Sequence, residues 1–144
     1  MKKPDSLRCA LNNAIPCLRN NPDRLMLYVD SGLVISTGVP KRGWEYRYTL
    51  NIIITDFSGD QDLLVAVIND WLLVNQPDAL NNPELREQLF RFEVDFERND
   101  LCDIAFFLSL TERVLVSVDG GNALVSAIDE PQNPEERDDY WIRG

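Results

Sequence analysis

No histidine occurs in these 144 residues. That absence removes the side chain most used for proton transfer near neutral pH, and with it every Ser-His-Asp or Cys-His mechanism. Only three cysteines occur, Cys9, Cys17 and Cys102, with no CxxC pair. An odd number without histidine partners gives neither a disulfide framework nor a zinc site, so reduced thiols in a cytoplasmic product are expected. Positive charge is scarce: 14 Lys and Arg stand against 24 Asp and Glu, a net charge of -10. Specific nucleic-acid binding is disfavoured, because it needs a cationic footprint, whereas passage of DNA past an acidic wall is not. Long apolar runs are missing too, and the start MKKPDSLR leads into an amphipathic pattern, which argues against secretion and membrane spanning. There is no Gly-rich phosphate loop and no repeat.

What the chain does have is patterning. In WEYRYTLNIIITDFSGDQDLLVAVINDWLLVNQP, Trp44, Tyr46, Tyr48, Leu50, Ile52 and Ile54 fall on one face of an extended chain. After a short acidic turn, Leu64, Val67, Ile68, Trp71 and Leu72 recur at helical spacing, predicting a helix over 62–75 that buries Trp71. Upstream, Leu7, Ala10, Leu11, Ala14, Ile15 and Leu18 share a helix face, with Pro4-Asp5-Ser6 as its cap and a break near Pro16. Two strands, 25–30 and 33–37, are expected around a turn at Asp30-Ser31-Gly32.

Downstream, Asn82-Pro83-Glu84 starts a short helix. Phe90, Phe92, Val94 and Phe96 alternate with charged residues and predict a half-buried strand; Ile104, Phe106, Leu108 and Leu110 form the next inward set. Val114, Val116 and Val118 continue the sheet, and Asp119-Gly120-Gly121-Asn122 turns into a last strand ending at Ile128. The fold class is therefore α+β: a largely antiparallel twisted sheet against an N-terminal and a central helix. Residues 1–128 form one domain, followed by a flexible acidic arm over 129–144. That arm ends in Tyr140, Trp141 and Ile142, which dock either on another surface or on the chain's own body.

Few residues look chemical. Glu93, Asp95 and Glu97, with Asp103 on the neighbouring strand, offer hard oxygen ligands that suit magnesium and a phosphoesterase or nuclease; the polar side of a half-exposed sheet is the simpler reading. Asp56, Asp60 and Asp62 faintly resemble a calcium loop, but Val67 stands where its closing glutamate belongs, and acids at a helix start explain them better. Trp44, Tyr46 and Tyr48 suit packing or an interface rather than base stacking, since cations around them are few. Lys41 and Arg42 form a local cationic spot in a loop, with solvation the plain reading and a partner contact the alternative. No catalytic residue, cofactor or metal site is assigned.

Three segments carry a resemblance: KKPDSLRCALNNAIPCLRNNPDRL, YTLNIIITDFSGDQDLLVAVINDWLLVNQPDALNNPE and FRFEVDFERNDLCDIAFFLSLTERVLV. Over about residues 1–118 they resemble the tail completion protein R family of P2-like contractile-tailed bacteriophages. The resemblance implies a non-enzymatic virion protein at the head-proximal end of the tail, assembled in the host cytoplasm. Its implied form is a homohexameric ring that caps the tail tube protein, stops growth and offers a surface for head attachment, with sheath and neck or head-completion proteins as further partners. A head-side adaptor is the alternative within that class. In such a ring Lys41, Arg42, Trp44, Tyr140, Trp141 and Ile142 are the interface candidates, and Glu93, Asp95 and Glu97 the candidates for a lumen through which DNA slides without specific binding.

Overall fold

The computed structural model describes residues 1–36, 42–97, 100–119 and 122–128. Five strands form one antiparallel sheet: β1 (Leu25–Ser36), β2 (Arg42–Phe57), β3 (Phe90–Phe96), β4 (Cys102–Asp119) and β5 (Asn122–Ile128). β2 and β4 run together at the centre, β1 flanks β2, and β3 and β5 occupy successive stretches of the far edge of β4. The helices are α1 (Lys3–Ala14), α2 (Pro16–Asn20), α3 (Gln61–Asn75), α4 (Pro77–Leu80) and α5 (Pro83–Leu89), with a 3-10 turn over Pro22–Arg24. The expected α+β class is observed.

The core lies between α1, α3 and one sheet face. Leu7, Leu11, Leu64, Ile68 and Leu72 meet Leu50, Ile52, Ile54, Ile104, Phe106 and Leu108 there, all essentially without solvent contact. Trp71 is buried as expected, and its Nε1 donates to Ser6 Oγ at 3.0 Å, tying the two long helices together. α1 ends where Pro16 demands, since a proline amide cannot continue the helical ladder, and Pro16 opens α2 instead. α3 is capped by Asp60, whose Oδ1 accepts from Asp62 N at 2.9 Å, and α5 by Asn82, whose Oδ1 accepts from Glu84 N at 3.0 Å.

Three local expectations are corrected. Residues 25–36 form one continuous strand, not a hairpin: Asp30 is the extra residue of a bulge between Val29 and Ser31, stitched by Asn51 Nδ2 donating to Asp30 Oδ1 at 2.9 Å. The cap of α1 is not Pro4-Asp5-Ser6, because Lys2 occupies the N-cap and Ser6 lies inside the helix. Ala14 is exposed rather than in the core stripe.

The sheet outruns its helices. β2 has 16 residues and at about 3.3 Å each spans roughly 53 Å, while the 15 residues of α3 at about 1.5 Å each reach roughly 22 Å. The stretch 33–36 of β1 with 42–46 of β2, 113–119 of β4 and all of β5 therefore extends past the helical layer as a four-stranded blade.

Candidate functional site

A ladder of exchanged partners joins the helical layer to the blade. Glu112 is buried and its Oε2 accepts from Tyr48 Oη at 2.6 Å, while its Oε1 accepts from the backbone amides of Lys2 at 2.7 Å and Lys3 at 3.3 Å. The carboxylate thus satisfies the amides that open α1 and complements the positive end of its dipole. Lys3 Nζ donates to Gln76 Oε1 at 2.8 Å and to the Thr111 carbonyl at 2.6 Å. Burial, followed by the hydrogen bond and charge of Glu112, pushes the Tyr48 hydroxyl well above the ordinary tyrosine range.

Between Leu108, which pairs with the first residue of β3, and Arg113, which pairs with the last residue of β5, β4 has no strand on its far edge among the described residues. Side chains and carbonyls from the helical connection fill the gap. Gln76 Oε1 accepts from Thr111 N at 3.2 Å, its Nε2 donates to Thr111 Oγ1 at 2.9 Å, and Ser109 Oγ donates to the Gln88 carbonyl at 3.2 Å. Beside this patch lies a cavity of about 720 Å³, walled by Arg47, Thr49, Ser109, Thr111 and Arg113 of the strands, by Leu33, and by Asp78, Leu85 and Gln88 of the helical connection. Glu45 lies among them, with its Oε2 2.8 Å from Arg47 Nε and its Oε1 3.9 Å from Arg113 Nε.

Two apolar surfaces are uncovered among the described residues. On the β3 edge, Phe92 is 67% and Phe96 74% exposed, although their cross-strand partners Phe106 and Cys102 are buried. The expected inward set is therefore only partly inward: Val94 and Phe90 pack on the core and the other two phenyl rings do not. On the blade, register places Val34, Trp44, Tyr46, Val114, Val116 and Val125 on the core-side face beyond the helices, with Val34 and Val125 exposed. Trp44 is half-buried, meets Tyr46 edge-on at 5.9 Å, and its buried Nε1 has no hydrogen-bond partner among the described residues. Arg42 opens β2 and is exposed; Lys41, Tyr140, Trp141 and Ile142 lie outside the described residues.

The acids are regrouped. Glu93 and Asp95 point to the outer sheet face, opposite to Phe92 and Phe96, with Asp95 paired to Asp103 and Glu93 to Ala105. Only Glu97 joins a close cluster, with Asp103 and Asp56, whose nearest carboxylate oxygens lie within 4.8 Å of one another. Asp103 accepts the Asp56 amide at 3.0 Å, where Asp56 takes a positive φ of 53° at the irregular end of β2. The hydrogen bond and charge of Asp103, together with Asp56 and Asp95, raise the Glu97 pKa above the ordinary carboxylate range. The expected neighbour Asp103 is beside Glu97; Asp56 is the addition, and Glu93 and Asp95 fall outside the close cluster. Asp60 serves as a helix cap.

Cys9, Cys17 and Cys102 are free thiols; Cys102 is buried and its Sγ lies 3.4 Å from the Phe57 carbonyl. Among the described residues no helix is long and apolar enough to cross a membrane.

The family described as P2 phage tail completion protein R (GpR) matches residues 1–134 of this chain. Tail completion protein R of Escherichia phage P2 is 46% identical over 135 residues, which are 94% of this chain and 87% of that protein. No solved structure gives a significant match.

Proposed function

Because the chain belongs to the P2 phage tail completion protein R family, we propose that it completes the tail by forming a ring on the head-proximal end of the tail tube. The ring stops further tube growth and presents the surface to which the filled head attaches. The observation that carries this reading is the pair of uncovered apolar surfaces, the Phe92 and Phe96 edge and the core-side face of the blade. They lie on different parts of the sheet, so copies join through unlike patches; such a contact builds a ring when its rotation closes, and six copies is the number that the resemblance to tail terminators implies. Exposed aromatic rings supply the buried anchors that such seams need.

Glu93 and Asp95 lie on the sheet face opposite the phenyl rings. With Phe92 and Phe96 in a seam, these acids and Glu97 are left for the channel wall, where net negative charge lets DNA pass without adhesion. Arg42 and Trp44, at the far end of β2, fall on the blade and serve the second seam. The protein acts in the virion, with tail tube, sheath or neck proteins as neighbours and no catalytic step of its own.

Electron microscopy of the protein with purified tail tubes tests the reading. Sixfold rings at one tube end, with tube elongation arrested, are the expected result. A protein that stays monomeric and ignores tube ends overturns it, and decoration of the head portal rather than the tube moves the protein to the head-side adaptor role. Magnesium-dependent cleavage of DNA, lost on replacing Glu97 and Asp103, is the outcome that would establish the phosphoesterase reading instead.

A further inference from the structure

The cavity beside α4 and α5 has an occupant within reach in the chain itself. We propose that it receives the C-terminal arm of the same copy, residues 129–144, with Tyr140 and Trp141 against its apolar wall and the arm's carboxylates at Arg47 and Arg113. This assignment does not depend on the ring.

Direction is the first argument. β5 runs antiparallel to β4, and its last residue, Ile128, pairs with Arg113 on the cavity rim. The strand is thus directed along β4 from Arg113 toward Thr111 and Ser109, which also line the cavity. Reach is the second. Tyr140 follows Ile128 by twelve residues, which at no more than about 3.6 Å each can reach at most roughly 43 Å, and Ile128 is one strand spacing of about 4.8 Å from the rim. A tethered ligand starting this close binds as an intramolecular partner at high effective concentration.

Chemistry is the third. The arm carries six acids, Asp129, Glu130, Glu135, Glu136, Asp138 and Asp139, against Arg137 and Arg143, a net of -4. On a chain this acidic, the rim offers two largely exposed guanidinium groups, Arg47 at 59% and Arg113 at 66%, which share the single, more buried Glu45. Asp78 sits on the helical side, so the carboxylates favour Arg47 and Arg113 on the strands, and the aromatic tip lies between two exposed leucines that line the cavity, Leu33 of β1 and Leu85 of α5. A volume of about 720 Å³ is within the roughly 300–1,000 Å³ of cavities that enclose small ligands, enough for two aromatic rings.

Full-length protein labelled with fluorotryptophan reports on this directly, because its three tryptophans, Trp44, Trp71 and Trp141, give separate fluorine resonances assignable by Trp→Phe substitution. In the unmodified protein the Trp141 resonance should show roughly half or less of the solvent isotope shift it has in a synthetic peptide of residues 129–144, since a seated indole loses contact with water. That protection should persist on roughly tenfold dilution, as an intramolecular contact does. The Arg47→Glu/Arg113→Glu protein, and separately Leu33→Ser at an exposed position, should restore the peptide value while the core Trp71 resonance stays in place. Trp141 matching the free peptide in the unmodified protein overturns the proposal. So does protection that survives both variants, or protection lost on dilution, which would place the arm on a second copy.

Discussion

Tyr48 Oη lies 2.6 Å from Glu112 Oε2, and through that carboxylate the middle of β2 is coupled to the first turn of α1. The residues are 64 positions apart, and the amide of Lys2 is 110 positions from the carboxylate that caps it. The helix opens on a charge delivered by the middle of β4.

Replacing Glu112 by alanine should cost about 3 kcal/mol, because it strips an acceptor from three donors at once and leaves buried amides unsatisfied. Tyr48→Phe should cost less, about 1–2 kcal/mol, since one donor to the carboxylate is lost and the helix cap remains. Urea unfolding of the two variants, with unchanged slopes, checks both the size and the order of the effects.

Alkaline pH should unfold the protein through Tyr48. Its pKa is raised in the fold, so above the ordinary tyrosine value of about 10 the unfolded chain has released a proton that the folded chain still holds. Stability from this group is complete below about pH 10 and falls as pH rises further, by at most about 1.4 kcal/mol per unit. Ultraviolet titration should show one of the four tyrosines ionising only with loss of structure, and the steep loss should be absent in Tyr48→Phe.

Phe92→Ser/Phe96→Ser should leave stability within about 0.5 kcal/mol, because both rings already face solvent. The same double substitution should abolish ring formation, read by sedimentation velocity and by tube-end decoration. A variant that still assembles would remove this edge from the seam.

Gly43→Ala should destabilise the blade by about 1–3 kcal/mol, since an added Cβ would stand 2.5 Å from the Val114 carbonyl in the adjoining strand, where neither backbone has room to yield. Thermal unfolding measures the loss, and hydrogen exchange should place the fastest opening at 42–46 and 113–119.

Elements defined by local period were legible before any contact was known. The alternation from Trp44 to Ile54, the helical spacing from Leu64 to Leu72 and the break at Pro16 each follow from the stereochemistry of one segment, and each is found in place. The turn expected at Asp30 was not, because Asp-Ser-Gly fits both a hairpin turn and a bulge; only pairing with β2 makes the chain continue straight. The site was legible in its residue types and only partly in its grouping. Glu97 was read with its strand neighbours and with Asp103 across the return, but Asp56, from the irregular end of β2, was not in that group.

Sequence by itself determined the class of the protein: no histidine for proton transfer, no cationic footprint, and a period-two and period-3.6 pattern that builds one α+β core. It also carried the family, through extended segments rather than a catalytic signature. Tertiary structure alone decided which apolar residues are core and which are surface. Phe106 and Phe92 sit side by side on one sheet face with the same local pattern, yet one is buried and the other open to solvent. Alternation says which face a side chain takes, but burial depends on what packs above it: Phe106 lies on the central strand β4 between β2 and β3, and Phe92 on the edge strand β3.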